Sequence, residues 1–314
     1  MKSLQDIRIV FMGTPEFAVA SLDALIQSGC NIVGVITAPD KPAGRGMQLQ
    51  QSAVKKYAAE KGLHILQPEK LKNPLFIEAL KALNADMQIV VAFRMLPEIV
   101  WNMPPMGTIN VHASLLPQYR GAAPINWAII NGEKETGITT FKLQQEIDTG
   151  NILMQEKIAI GEDETAGELH DALKILGANV LAKTIQSIVD GSLKEQRQNV
   201  IDDSGFNLKH APKISSETGK IDWNKSADDI FNLIRGLSPY PTAFTYLHDK
   251  MLKIYLGKKE ICPHHYTNGE ILSDGKSYLK FACANGFIHC TDIQLQGKKR
   301  MLVADFLRGY KINK

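Results

Sequence analysis

Short β-branched runs alternate with segments of helical periodicity through the first half of the chain. Strands buried on both faces are predicted where the apolar runs lie, at 7–13, 31–37, 86–93 and 107–113. Helices are predicted between them, at 15–29, about 52–61 and about 74–83. Strands joined by such helical crossovers are parallel, so the pattern predicts a doubly wound α/β domain with a mostly parallel, Rossmann-like sheet.

Terminal signals sharpen two of the predicted helices. Pro15 and Gly29 bracket the first one, as an N1 proline and a C′ glycine would. A long helix is predicted over 165–190, where Thr165 is the expected N-cap and Glu168 completes a capping box. Two neighbouring strands are expected just before it, at 137–144 and 151–160.

The last third of the chain has a different pattern. A polar stretch with little periodicity predicts a linker over 191–207, between a domain at 1–190 and a second at 208–314. After a capped helix at 226–236, short strands are separated by Asn-Gly and Asp-Gly turns. This alternation predicts a C-terminal OB-like β-barrel domain.

Composition and charge narrow the functional classes. The 314-residue chain has no signal-peptide-like N-terminus, no apolar run of about 18 residues and only four cysteines, so we expect a cytoplasmic protein without a membrane partner. Residues 205–314 contain 17 Lys and Arg against 10 Asp and Glu, a net charge of +7. That excess favours a polyanionic partner such as nucleic acid, although a solvated lysine-rich surface fits it equally.

Asn110 and His112 end the strand predicted at 107–113, and residues two apart on a strand share a face. Ligands of open α/β sheets bind beyond the carboxyl ends of the strands. An amide donor beside an imidazole suits a tetrahedral oxyanion, as in acyl transfer, and Asp148 in the next turn adds a carboxylate that could manage protons. The residues alone leave open that Asn110 and His112 merely satisfy each other and nearby backbone, and that Asp148 serves its own turn.

Six motifs carry a family resemblance, namely GTPEFA (13–18), PDKPAGRG (39–46), INVHASLLPQYRGAAPI (109–125), DTG (148–150), IDW (221–223) and SPYP (238–241). With them the chain resembles the methionyl-tRNA formyltransferases, within the folate-dependent formyltransferase superfamily. The resemblance implies Asn110, His112 and Asp148 as the catalytic residues. It also implies transfer of the formyl group of 10-formyltetrahydrofolate to the α-amine of methionine on initiator tRNA, with no metal.

The resemblance also implies where the cosubstrate binds. The expected folate residues follow the strands at 86–93 and 107–113, namely Phe93, Arg94, Met95, Ser114, Leu115, Leu116 and Pro117. Leu115 and Leu116 are equally compatible with plain core positions. The family's usual glycines are replaced by Arg94 and Ala113, which puts the shape of the pocket in question more than the reaction.

A basic insertion at 37–58 distinguishes this family from its relatives. In the resembling enzymes the similar loop enters the tRNA acceptor stem, so Lys41 and Arg45 are the expected tRNA-binding residues, on a mobile loop. An ordinary solvated loop is the alternative. We expect a monomer whose partners are initiator methionyl-tRNA and the folate cosubstrate.

Four alternative functions would require different sequence features. A nicotinamide dehydrogenase needs G-x-G-x-x-G after the first strand, where this chain has one glycine. Another folate-dependent amine formyltransferase, acting on a sugar nucleotide or glycinamide ribonucleotide, would share the three catalytic residues. A noncatalytic OB-fold RNA-binding protein would leave them unexplained. A zinc site lacks paired spacing among its candidate ligands, Cys262, His264, His265, Cys283, His289 and Cys290.

Overall fold

The computed structural model describes residues 3–43, 48–198 and 208–312. Its strands are β1 (Arg8–Gly13), β2 (Asn31–Ile36), β3 (Lys41–Ala43), β4 (Gln48–Gln50), β5 (Ile65–Leu66), β6 (Met87–Val91), β7 (Thr108–His112), β8 (Arg120–Gly121), β9 (Glu135–Lys142), β10 (Ile152–Ala159), β11 (His210–Ala211), β12 (Ala243–Leu247), β13 (Lys250–Ile261), β14 (Ile271–Ser273), β15 (Leu279–Cys283), β16 (Gly286–Leu295) and β17 (Met301–Leu302). Its α-helices are α1 (Glu16–Gln27), α2 (Ala53–Glu60), α3 (Pro74–Ala82), α4 (Glu98–Trp101), α5 (Pro124–Ile130), α6 (Ala166–Val189), α7 (Ala227–Gly236) and α8 (Val303–Gly309). Two short 3₁₀ helices cover Leu4–Asp6 and Glu217–Gly219.

A seven-stranded sheet in the order β10-β9-β7-β6-β1-β2-β5 forms the first half of the protein. The pairs β1–β2, β1–β6, β2–β5 and β6–β7 are parallel, and β7–β9 is antiparallel. The central strands β1 and β6 are almost wholly buried, as their continuous apolar runs require. The predicted mostly parallel, doubly wound sheet is confirmed.

The helix termini agree with the sequence signals in all but one detail. Pro15 is the N-cap of α1, one position before the predicted N1, and Gly29 follows the C-cap with a φ of +78°. The position shifts because α1 takes its first helical turn from Glu16 onward. The capping box of α6 forms as expected, since the Glu168 backbone N–H donates to Thr165 Oγ1 over 3.3 Å and the Thr165 N–H donates to the Glu168 carboxylate over 2.9 Å.

The chain divides into two compact units. The first holds residues 1–120, 137–158 and 170–209, and the second holds 121–136, 159–169 and 210–314. Within the second unit α5 packs against α7, where the Asn126 side-chain amide donates to the Gly236 carbonyl over 2.7 Å. Two segments of the first 190 residues therefore pack with the C-terminal third, a grouping that strand and helix patterns along the chain do not reveal.

The helix α6 has an apolar window with a mean hydropathy of 1.2, and it is the one helix in the described ranges that is long and apolar enough to cross a membrane. Helices in the core of globular proteins can reach the same length and hydropathy. Leu173, Leu181 and Ile185 of this helix are buried, and its Thr184 hydroxyl bonds to Thr140 of β9 over 2.8 Å. The helix thus covers the sheet of the first unit.

An antiparallel sheet in the order β12-β13-β16-β15-β14 forms the second unit, with β17 added on β16. The two long strands β13 and β16 pair with register shifts near Leu256, which bend the ladder. The amphipathic α7 buries Ile230 and Ile234 in the core of this curled sheet. The sheet agrees with the OB-like domain predicted from the spacing of short strands and turns.

Candidate active site

The carboxyl ends of the parallel strands β6 and β7 carry the predicted site. Val90 of β6 lies beside Asn110 of β7, and His112 is the last residue of β7. The antiparallel neighbour β9 pairs Thr139 with His112. The edge at which open α/β sheets bind ligands is thus where Asn110 and His112 lie.

Both ring nitrogens of His112 face oxygen atoms. Nε2 lies 2.9 Å from the carbonyl oxygen of Tyr119, which as an acceptor requires the proton on Nε2. Nδ1 lies 3.8 Å from Asp148 Oδ2. The side chains are only 8% and 13% exposed, so the interaction is shielded from water. The structure therefore brings His112 and Asp148 together and turns Nδ1 toward the carboxylate.

Asp148 lies in a tight turn between β9 and β10. Its φ is +55°, a left-handed conformation that Asp tolerates better than most residues. Gly150, two residues on, packs so closely that a Cβ there would lie 1.6 Å from the Lys142 carbonyl oxygen. The Asp-Thr-Gly sequence thus brings a carboxylate back beside the imidazole at the end of β7.

Asn110 lies on the same face of β7 as His112 and is partly exposed. Within the described ranges its side-chain amide makes no hydrogen bond to the protein. Asn110 and His112 therefore do not satisfy each other, although His112 does bond to nearby backbone, at the Tyr119 carbonyl, as that alternative expects. The Asn110 amide, beside the buried imidazole of His112, can therefore donate a hydrogen bond to a substrate oxygen.

The Ser-Leu-Leu-Pro loop is held by β9 and β10. The Thr139 hydroxyl donates to the Ser114 carbonyl over 2.6 Å, and the Leu116 N–H donates to Thr139 Oγ1 over 3.1 Å. Gln155 of β10 donates to the Leu116 carbonyl over 2.8 Å. These bonds fix the backbone that follows His112.

The side chains of that loop differ in what they offer a ligand. Ser114 is fully buried and its hydroxyl donates to the Gln118 carbonyl over 2.7 Å. Leu116 is packed in a small core with Phe141 and Ile152. Leu115 and Pro117 are partly exposed, so they are the members of this loop whose side chains remain accessible.

Phe93, Arg94 and Met95 follow β6 on the other side of the strand end. The guanidinium of Arg94 donates to the carbonyls of Glu69, over 2.8 Å, and of Pro68, and it lies over the Phe93 ring. Burial lowers the pKa of Arg94 below its ordinary value. Arg94 thus ties two loops together.

A cavity of about 870 Å³ opens beside this loop. Its lining includes Lys70, Lys72, Arg94 and Met95, and Met95 is 75% exposed. Asn110 and His112 are not among its lining residues. Of the predicted folate residues, Arg94 and Met95 therefore lie on this cavity, whereas the Ser-Leu-Leu-Pro loop follows β7.

The basic insertion is more ordered at its ends than predicted. Lys41 pairs with Gln50 and Pro42 with Leu49 in the antiparallel ladder of β3 and β4, which corrects the expectation of a plain mobile loop. Proline is tolerated because the ladder has only two strands, so that both are edges. Lys41 is exposed, and Arg45 lies outside the described residues.

An ion pair fixes the base of this hairpin. Lys55 Nζ lies 2.5 Å from Asp40 Oδ2, and Gln67 donates to Asp40 Oδ1 over 2.8 Å. The hydrogen bonds from Lys55 and Gln67 lower the pKa of Asp40. The hairpin therefore begins from a defined anchor on the first unit.

No group of three or more His, Cys, Asp or Glu is arranged to hold a metal ion in the ranges that the structure describes. Two of the candidate zinc ligands bond to protein groups. His264 Nε2 bonds to the Cys283 carbonyl over 2.7 Å, and His289 Nε2 bonds to Glu260 over 2.5 Å. These histidines serve the second unit's own structure.

Sequence reasoning missed three supporting groups at the site. The Tyr119 carbonyl bonds His112, Thr139 holds the following loop, and Gln198 donates to the carbonyls of Asp148 and Gly150. Tyr119 and Thr139 lie near the predicted site residues along the chain, but a carbonyl or a buried threonine has no sequence signature. Gln198 fell inside the predicted linker, whose polar composition concealed its contact with the site.

The formyl transferase family matches residues 7–185, and the formyl transferase C-terminal domain family matches residues 213–311. A protein of Parabacteroides distasonis named methionyl-tRNA formyltransferase is 53% identical, and the match covers 98% of this chain and 97% of that protein. A protein of Phocaeicola vulgatus with the same name is 55% identical over 98% of this chain and 97% of its own length.

A solved structure supports the fold. The sugar 3N-formyl transferase WlaRD, crystallised in the presence of dTDP and 5-N-formyl-THF, matches with a TM-score of 0.65 at 23% identity. The match covers 93% of this chain and 99% of that one. The architecture of the chain is therefore that of a two-domain formyl transferase.

Proposed function

Because the chain belongs to the methionyl-tRNA formyltransferase family, we propose that it transfers the formyl group of 10-formyltetrahydrofolate to the α-amine of methionine on initiator tRNA. The observation that carries the proposal at the level of chemistry is the His112–Asp148 pair, 3.8 Å apart and shielded from water, with the free amide of Asn110 on the same strand face. A noncatalytic RNA-binding protein would have no use for that arrangement.

The reaction needs three things from the protein. The neutral amine attacks the formyl carbon, the carbonyl oxygen becomes an oxyanion, and the folate N10 leaves with a proton as its bond to carbon breaks. One C–N bond forms and one breaks, and the proton lost by the amine balances the proton gained by N10. Neither a redox step nor a covalent enzyme intermediate is required.

Each catalytic residue has a role that follows from its surroundings. Asn110 donates its amide N–H to the oxyanion, because none of the described residues engages its side chain. His112 uses Nδ1 toward the reacting atoms, since Nε2 is occupied by the Tyr119 carbonyl. Asp148 orients the imidazole and accepts the proton of the attacking amine, directly or through one water.

The folate binds at the loops that follow β6 and β7, near Phe93 to Met95 and the accessible Leu115 and Pro117. Ser114 and Leu116 support it indirectly, because the protein itself uses their polar groups and side chains. Arg94 takes the family's glycine position and fixes the first of these loops through Pro68 and Glu69. This assignment places the pterin beside the strand ends that carry the catalytic residues.

The tRNA contacts both parts of the chain in this proposal. The β3–β4 hairpin, with Lys41 and Arg45, reads the acceptor end, and the basic residues of 208–314 attract the phosphate backbone. We assign residues 1–190 to catalysis and 208–314 to tRNA binding, joined by 191–207, of which residues 195–198 are bonded to the first unit. The enzyme acts as a monomer in the cytoplasm, where charged initiator tRNA is available.

An acceptor competition tests the function. The protein is incubated with 10-formyltetrahydrofolate, methionyl-initiator tRNA and an amino-sugar nucleotide together, and both products are quantified. We expect formylation of the tRNA alone, and preferential formylation of the sugar would establish the alternative amine formyltransferase. His112→Ala and Asp148→Asn should lower kcat by about a hundredfold or more without unfolding the protein.

A further inference from the structure

Gln198 uses its whole side-chain amide at the site. Its Nε2 donates to the carbonyl oxygens of Asp148, over 2.9 Å, and Gly150, over 2.8 Å. Its Oε1 accepts from Arg120 Nη2 over 2.5 Å and Nε over 3.2 Å. One glutamine thus joins the turn that carries Asp148 to a residue of the loop that follows β7.

The Arg120 end of this connection leads back to His112. Arg120 follows Tyr119 in the chain, and the Tyr119 carbonyl bonds His112 Nε2 over 2.9 Å. Burial lowers the pKa of Arg120, whereas the neighbouring Asp148 and Glu146 carboxylates act in the opposite direction. The Gln198 amide therefore connects to both residues of the His112–Asp148 pair. Its Nε2 bonds the backbone of Asp148, and its Oε1 bonds Arg120, the neighbour of the residue whose carbonyl holds His112.

Both attached segments have an unfavourable backbone conformation. Asp148 has a φ of +55° and Tyr119 a φ of +60°, in the left-handed region that residues with a Cβ rarely adopt. Such conformations persist only where the surroundings hold them. The two hydrogen bonds from Gln198 hold the turn on both sides of Thr149.

The segment around Gln198 is itself secured to the first unit. Gln196 pairs with Ile152 through two backbone hydrogen bonds of 2.7 and 2.8 Å. The Glu195 carboxylate accepts from Lys142 and, over 3.1 Å, from the Asn151 amide. The described residues 195–198 therefore form a strap across the ends of β9 and β10, although the sequence predicted a linker there.

We propose that Gln198 is a positioning residue that sets the distance and orientation between Asp148 and His112. The inference rests on the proposed function, because that geometry matters only if the pair performs the transfer. Gln198 itself does not touch the reacting atoms. Its chemistry is that of a rigid spacer which donates to two carbonyls and accepts from one guanidinium.

Three variants test the proposal in the full-length enzyme. Gln198→Ala removes all four contacts, and Gln198→Glu keeps the acceptor for Arg120 but cannot donate to the two carbonyls. We expect both to lower kcat by about tenfold to a hundredfold, with the KM values for the formyl donor and the tRNA changed less than about threefold. Gln196→Ala is the matched control, because its side chain is exposed and its ladder uses the backbone. It should keep normal kcat.

A double-mutant cycle separates positioning from general stability. If Gln198 acts through Asp148, then adding Gln198→Ala to Asp148→Asn should cost less than about threefold in kcat, whereas independent effects multiply. A multiplicative loss, or a normal kcat for Gln198→Ala in an active wild-type background, overturns this inference while leaving the proposed function intact. A wild-type enzyme that transfers no formyl group to methionyl-tRNA refutes the proposed function, and the inference with it.

Discussion

Gly150 offers a test of how closely the catalytic turn must fit. A Cβ at this position would lie 1.6 Å from the Lys142 carbonyl oxygen, 2.8 Å from its carbonyl carbon and 3.3 Å from Phe141 Cδ2. The first two neighbours are backbone atoms of β9, which cannot rotate away as a side chain can. Gly150→Ala therefore requires the turn and the strand to separate.

The size of that separation follows from the contact. Cβ atoms are essentially never found within 3.0 Å of another group, so the backbone must move by roughly 1.4 Å. Asp148 lies two residues from Gly150, and its carboxylate lies 3.8 Å from His112. A misplacement of about 1 Å at a reacting centre can cost on the order of a hundredfold in rate, and we expect that loss in kcat.

The assay measures kcat for formyl transfer together with the thermal unfolding midpoint. Overpacking typically costs about 1–3 kcal/mol, so the variant should melt several degrees lower and still be folded at 25 °C. Gly309→Ala is the control, because an added Cβ there meets none of the described residues within 4 Å beyond its own stretch of helix. A Gly150→Ala enzyme with kcat within about threefold of wild type would refute the reasoning that this turn sets the position of Asp148.

Three further outcomes follow. The affinity for tRNA should fall as salt rises, because Lys and Arg of 205–314 displace phosphate counterions, and a flat filter-binding series would contradict this. Lys55→Met should raise the KM for tRNA several-fold and leave the KM for the formyl donor unchanged, because it removes the cation that holds Asp40 at the base of the hairpin. Equal changes in the two KM values would contradict this expectation. His289, followed by Lys280, lowers the pKa of Glu260 from 4.5 to about 2, so Glu260 stabilises the fold above pH 4.5 and this contribution is lost as pH falls toward 2. Glu260→Gln should therefore destabilise the protein at neutral pH by at most about 1 kcal/mol, since the side chain is 42% exposed, and denaturant titration should find no difference near pH 2.

The sheet could be predicted because its strands are written as local patterns. Runs such as 7–13 and 107–113 combine β-branched residues with flanking turn signals. Such continuous apolar runs are typical of strands that are buried on both faces of a parallel sheet. The capping box of Thr165 and Glu168 is equally local. In contrast, the pairing of Lys41 with Gln50 was not predicted, since the proline- and glycine-rich composition of the insertion favoured a loop.

Much of the site could be predicted as residue types but not as geometry. The i, i+2 spacing placed Asn110 and His112 on one face, the next turn offered the Asp148 carboxylate, and the resemblance implied that all three are catalytic. The sequence did not reveal that His112 Nε2 is occupied by a carbonyl, or that Leu116 is packed with Phe141. The first fact depends on the path of the loop that returns Tyr119 to the imidazole, and the second on the packing of that loop against β9; residue spacing along the chain encodes neither.

The most direct test of the central claim is mass spectrometry of methionyl-initiator tRNA after incubation with the enzyme and 10-formyltetrahydrofolate. The amino acid released from the tRNA is compared for wild type and Asp148→Asn at equal enzyme concentration. The account predicts N-formylmethionine with the wild type and about a hundredfold slower appearance of it with the variant. Unmodified methionine with wild-type enzyme and intact donor, or equal rates for the two enzymes, would contradict it.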